Sequence, residues 1–199
     1  MASMAKGTLA GLLIVMFAVA DARALEFGPG DVVVAVTEKM QALIKQRHTE
    51  FDGDKTVFYA VVDEVISPAF DVPYVAQITL GRSWRSASEE QRTQFQGAFK
   101  NTLIHAYADA LLESSESSKV EWTRATIDGD GAKLRATVLR GSGPPIAMGF
   151  ELHKTNAGDW RVYDVSVEGV SLLSNFRSQF TAEVKRDGLD ALIKRLQGA

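Results

Sequence analysis

The chain contains no cysteine, and its 199 residues include only 3 histidines and 5 prolines. The missing cysteines exclude thiol catalysis, disulfide staples and Cys-ligated metals, so the fold must be held by its core alone. His48, His105 and His153 fall on three separate segments, none with a second metal-ligand residue at the right spacing on the same helix face. They read as surface or partly buried polar residues. No run of Lys and Arg interrupts a chain of formal net charge −3, which argues against a nucleic-acid partner. Gly-x-Ser-x-Gly, phosphate-loop and dinucleotide fingerprints are also missing. Asp128-Gly129-Asp130-Gly131 begins like a calcium loop, but Ala132 follows and Leu139 stands where the closing Glu belongs, so it reads as a turn. Glu89-Glu90 sits in a first helical turn, where acidic groups complement the dipole rather than forming an acid–base pair.

Long apolar runs are missing too, except at the N-terminus. Lys6 precedes an uncharged, largely apolar run from Gly7 to Ala20, and Asp21-Ala22-Arg23-Ala24 follows. One basic charge, an apolar stretch and an Ala-x-Ala site are the layout of a secretory signal peptide. The run is shorter than the ~20 residues that span a bilayer. Residues 1–24 therefore read as a leader cleaved after Ala24, with Ala20 as the alternative site and an uncleaved anchor as the competing reading. Residues 25–199 remain as one domain, large enough for a single substantial core.

That domain reads as helices, then strands, then helices. Val33, Val36, Met40, Leu43 and Ile44 recur at helical spacing over about 31–46. A second helix spans about 54–67 and stops at Pro68, and Asp71–Leu80 forms a third before Gly81. Ser88-Glu89-Glu90-Gln91 is a capping box opening a long helix. In it Phe95, Phe99, Leu103, Tyr107 and Leu111 follow at intervals of four, an aromatic stripe expected to be buried. The period then falls to two. Val120/Trp122, then Leu134/Ala136/Val138, then Ile146/Met148/Phe150/Leu152 alternate with polar neighbours, and Trp160–Val167 is a fourth strand. Short Gly-, Asp- and Pro-rich turns between them predict a four-stranded antiparallel meander with one apolar face. The parity switches between Val162 and Val165, which predicts a bulge near Tyr163-Asp164 that curls the sheet. Phe176, Phe180 and Val184 mark a further helix ended by Gly188, and Leu189, Leu192, Ile193 and Leu196 mark a last short one.

Chemistry-bearing constellations are scarce. Asp164 reads as a hydrogen-bonded structural carboxylate whose partner is Arg82, Arg85 or a backbone amide. With Tyr163 it is the one candidate polar pair for an enzyme.

Two stretches carry a family resemblance. Leu80-Gly81-Arg82-Ser83-Trp84-Arg85-Ser86-Ala87, followed by Gln91, Phe95, Phe99, Leu103 and Tyr107, resembles the signature of the MlaC family, periplasmic phospholipid-binding proteins also called toluene-tolerance or auxiliary transport proteins. Trp160-Arg161-Val162-Tyr163-Asp164, then Glu168-Gly169-Val170-Ser171-Leu172 and Gly188-Leu189, match the same family in order and spacing. The resemblance implies an α+β fold in which a curled sheet is wrapped by helices as a nuclear-transport-factor-like cone around an internal hydrophobic pocket. It implies a monomeric, non-enzymatic periplasmic carrier, with diacyl phospholipid as cargo and no cofactor or metal. Its implied partners are an inner-membrane lipid ABC transporter complex with its lipid-binding subunit and an outer-membrane lipoprotein complex, in a system maintaining outer-membrane lipid asymmetry. The alternatives are a hopanoid-associated branch of the family and a ligand-free adaptor of a transport complex. The expected lipid-contacting residues are Phe95, Phe99, Leu103, Tyr107, Val138, Ile146, Met148, Phe150, Val162, Val165, Val170 and Phe176. Arg82, Arg85, Arg135 and Arg140 are the candidate head-group or partner contacts.

Overall fold

The computed structural model describes residues 28–115 and 118–198, and the leader read at residues 1–24 lies outside the described residues. Among the described residues, seven α-helices and six strands run as helices, then strands, then helices: α1 (Pro29–Gly53), α2 (Lys55–Ile66), α3 (Val72–Leu80), α4 (Arg82–Ser86), α5 (Glu89–Ser115), β1 (Lys119–Trp122), β2 (Thr126–Asp128), β3 (Gly131–Leu139), β4 (Ile146–Lys154), β5 (Trp160–Val167), β6 (Val170–Ser171), α6 (Leu172–Asp187) and α7 (Leu189–Gln197).

Caps fix most of the boundaries. The Asp54 carboxylate accepts from the Thr56 and Val57 amides, and the Asp71 carboxylate accepts from the Tyr74 amide. The capping box forms as read: the Gln91 amide donates to Ser88 Oγ at 3.1 Å and the Ser88 amide to Gln91 Oε1 at 3.0 Å. Helix α1 outruns its expected end. Arg47 leaves helical geometry, yet its guanidinium pairs with Glu50 and lies 4.7 Å above the Phe51 ring, and buried Phe51 packs at 5.0 Å on Phe58 of α2. Tertiary packing carries the helix through a residue where its hydrophobic repeat lapses.

The sheet has six strands rather than four, in the order β1-β3-β4-β5-β6, with β2 also on β3. β1 and β2 run along the same strand, β1 opposite 136–139 and β2 opposite 131–133 of β3, so one broken strand supplies two. β6 is a two-residue return paired with the end of β5. β2 and β6, of three and two residues, are too short to register as strands in sequence. The bulge is real: Leu152 pairs with Val162 and Glu151 with Asp164, which leaves Tyr163 as the extra residue.

Directly paired residues share a face, so the register arranges the apolar face in rows. Ala132, Leu152 and Val162 form one row, and Leu134, Phe150 and Val165 the next. Trp122, Ala136, Met148 and Val167 form the third, and Val120, Val138 and Ile146 the last. The first row is fully buried under Val33 of α1.

Two further cores are purely helical. Ala76 and Leu80 of α3, Phe95 and Phe99 of α5, Phe180 of α6 and Leu192, Ile193 and Leu196 of α7 form one; Met40, Ile44, Phe51, Phe58, Val62, Val65, Ala108 and Leu112 form the other. Helix α5 packs along α1, α2, α3 and α7, whereas the sheet packs on α1, α3 and α6. The expected direct burial of the aromatic helix against the sheet is replaced by burial among helices.

Candidate functional site: an apolar cleft at the open end of the sheet

The four rows of the sheet are not equally covered. Val120, Val138, Ile146, Trp122, Met148 and Val167 are only half-buried, whereas Leu134, Leu152 and Val162, and Ala136 within the third row, are closed off. Among the described residues, Val138, Ile146, Met148 and Val167 belong to none of the three core clusters. The sheet is thus sealed at the α1 end and open at the end where β3 turns into β4.

Chain connectivity places two helices at that open end. Helix α5 ends at Ser115 and β1 starts at Lys119, four steps or at most ~14 Å of chain, so the C-terminal end of α5 lies within that reach of the start of β1. Helix α6 starts immediately after β6, beside Val167. A strict four-residue stripe drifts about 40° per step around a helix. Phe95 and Phe99 are buried, Leu103 is half-buried, and Tyr107 has turned out to 42% exposure, with Ala106 and Ala110 exposed next to it. On α6, Leu172, Leu173 and Phe176 are half-buried. The half-buried rows form an apolar wall, which we take with the nearby ends of α5 and α6 as the candidate cleft.

The start of α6 is fixed to the sheet by Asp164. Its carboxylate accepts from the Ser171 hydroxyl at 2.5 Å and from the Leu173 amide at 3.0 Å, while Ser171 Oγ accepts from the Ser174 amide. The backbone amide, not Arg82 or Arg85, is therefore the partner, joined by a hydroxyl. Tyr163 takes a different partner. Its hydroxyl donates to Glu151 Oε2 at 2.6 Å, and its ring meets Tyr74 and His153 edge-on. Burial first, and then the Glu151 carboxylate, push the Tyr163 phenol well above its ordinary range. Tyr163 and Asp164 thus serve different anchors. His153 is one of these contacts: its Nε2 lies 3.0 Å from Asp71 Oδ2, with the ring stacked on Tyr74.

The expected lipid-contacting residues separate into groups. Val138, Ile146, Met148, Phe150 and Val165 share the half-buried wall, and Leu103 and Phe176 lie half-buried at the edge of the helical core. Phe95 and Phe99 belong to closed packing instead: their rings are 5.5 Å apart, and both meet Phe180. Val162 is sealed beneath α1, and Val170 stands 59% exposed on the rim. Arg135 points away from the cleft, because its neighbours Leu134 and Ala136 occupy the inner face. Arg140 stands at the rim, donating to the Pro144 carbonyl at 2.8 and 3.1 Å, and Arg82 and Arg85 are exposed on α4.

Trp122, Val120 and Val167 were not read from sequence as lining. Register brings them there, and alternation in β1 was the available signal. A separate groove of about 310 Å³ between α5 and α7 is lined by Thr93, Gln94, Gly97, Ala98, Asn101, His105, Leu196 and Gln197, a mixed polar and apolar surface.

The model of the MlaC protein family matches residues 34–198. The intermembrane phospholipid transport system binding protein MlaC of Haemophilus influenzae is 25% identical over 193 residues, 96% of this chain and 90% of its own. Toluene tolerance protein ttg2D of Pseudomonas putida is 27% identical over 190 residues, 94% of this chain and 87% of its own. A phospholipid-binding protein from Ralstonia solanacearum, solved in complex with a phospholipid, matches with a TM-score of 0.76 and 30% identity, covering 84% of this chain and 93% of that one.

Proposed function

This chain belongs to the MlaC family, and from that premise we propose that it is a periplasmic carrier of diacyl phospholipid that exchanges lipid between membrane complexes. The observation that carries the reading is the half-buried apolar wall at the open end of the sheet, in a fold shared with a neighbour solved with phospholipid.

The energetics suit a carrier. Each methylene withdrawn from water is worth ~0.8 kcal/mol, so free lipid does not cross an aqueous compartment unaided. Its tails are already buried in a bilayer, so the carrier need only match that environment, and tighter binding would oppose release. A cleft that is open at one end admits tails beside Met148 and Ile146 while leaving a head group at the rim near Arg140. In this reading residues 1–24 direct export and are removed. The donor and acceptor are an inner-membrane lipid ABC transporter complex, through its lipid-binding subunit, and an outer-membrane lipoprotein complex.

Organic extraction and mass spectrometry of gently purified protein test the proposal. Diacyl phospholipid in the extract is expected. Lipid-free protein that also takes nothing from phosphatidylethanolamine vesicles would favour a ligand-free adaptor.

A further inference from the structure

Glu168 is, among the described residues, the one non-glycine residue with positive φ, at 49°. With Gly169 at φ 79° it forms the two-residue turn between paired Val167 and Val170, the type I′ pattern that favours Asn, Asp or Gly. A glutamate there is locally disfavoured, and its side chain is exposed, so burial does not account for it.

Its hydrogen bonds do. The Glu168 amide donates to the Ala147 carbonyl at 2.8 Å, extending the β4–β5 ladder by one bond. A regular ladder would return a bond from the Ala147 amide to the Glu168 carbonyl, but the main chain is already turning toward β6. The Glu168 carboxylate takes that place, accepting from the Ala147 amide at 2.6 Å. Ala147 precedes Met148, and Glu168 follows Val167, its cross-strand partner in the cleft wall. The turn leads directly to Ser171 and the start of α6.

We propose that Glu168 is a positioning residue for lipid retention: its two-point clasp on Ala147 holds the β5–β6 hairpin closed on the rim beside Met148 and Val167. This rests on the carrier reading above. The start of α6 has its own anchor in Asp164, so loss of the clasp frees the hairpin without undoing the helix. Glutamine retains a side-chain oxygen that accepts from the Ala147 amide; alanine and glycine do not. Glycine also relieves the left-handed backbone, which makes it the decisive variant.

The test preloads the mature full-length protein with fluorescent NBD-phosphatidylethanolamine and follows its release into excess phosphatidylethanolamine–phosphatidylglycerol vesicles. Glu168→Gly and Glu168→Ala should release lipid about tenfold faster, the scale of one lost hydrogen bond. Glu168→Gln should stay close to wild type, and Glu168→Gly should melt no lower than Glu168→Ala. Wild-type release rates in both truncated variants overturn the positioning role, as does fast release that merely tracks lowered melting temperature across the three variants. A wild-type protein that cannot be loaded at all overturns the carrier reading and this proposal with it.

Discussion

Val162 and Val165 stand three residues apart on one strand yet on the same face of the sheet, because Tyr163 is bulged out between them. The bulge lets Val162 face Val33 while Val165 and Val167 continue the cleft wall. Deleting Tyr163 removes the bulge and leaves Trp160, Val162, Val165 and Val167 in simple alternation on one face, so the apolar side is kept while the curl of the strand and the ring's contacts with Tyr74, His153 and Glu151 are lost. We expect the deletion to keep a cooperative transition but to cost more than Tyr163→Phe, which loses only the bond to Glu151 and should cost about 1 kcal/mol. Urea unfolding followed by tryptophan fluorescence distinguishes the two.

The partner of that hydroxyl sets a pH dependence. Lys133, then Tyr163, hydrogen-bond Glu151 and hold its carboxyl below the ordinary value of 4.5, against the opposing effect of burial. A depressed folded-state pKa stabilises the fold above the ordinary value and loses that contribution as pH falls through the lowered one. Glu151→Gln should therefore be less stable than wild type near about pH 7, with the gap narrowing below about pH 4.5. Melting temperatures that differ by a constant amount across this range would exclude Glu151 as the source.

Much of this was legible in the sequence because it is local. The cap residues Asp54, Asp71 and Ser88, the stops at Pro68 and Gly81, and the parity switch at Tyr163 are each fixed by a few neighbouring side chains. The cleft was less legible because it depends on register and on which faces meet. Phe95 and Phe99 look like lining along a stripe, but α7 and Phe180 cover them. Val167 and Trp122 join the wall only through pairing with Met148 and Ala136. Glu168 appears in sequence as a family motif, and its bond to Ala147 lies 21 residues away.

The two ends of the aromatic stripe should behave differently. Phe99 is fully enclosed by Phe95, Phe176 and Phe180, so Phe99→Ala should cost ~3–5 kcal/mol. Tyr107 is 42% exposed, and Tyr107→Ala should change stability by less than about 1 kcal/mol. Its effect should fall on lipid uptake from vesicles instead. Equal losses of stability in the two variants would place Tyr107 in the core.

Export predicts a defined N-terminus. Intact-mass measurement of protein from the periplasmic fraction should give a chain beginning at Leu25, after Ala22-Arg23-Ala24. Full-length protein found only in membranes would instead assign residues 7–20 to an anchor.

Met148 separates a cleft wall from an ordinary core at one position. It lies mid-strand, opposite Ala136 on one side and Val167 on the other, half-buried and outside every core cluster. In close-packed surroundings Met148→Trp would add volume with nowhere to go, at a typical cost of ~1–3 kcal/mol. In an open cleft the indole lies where an acyl chain would, and its apolar surface is accommodated without strain. Lipid-stripped Met148→Trp should therefore melt within a few degrees of stripped wild type while binding markedly less phospholipid. Both samples must be stripped, because bound lipid raises apparent stability by mass action and would mask the comparison. A large fall in stripped-state stability with unchanged uptake would assign Met148 to packed core and move the lipid site to another surface.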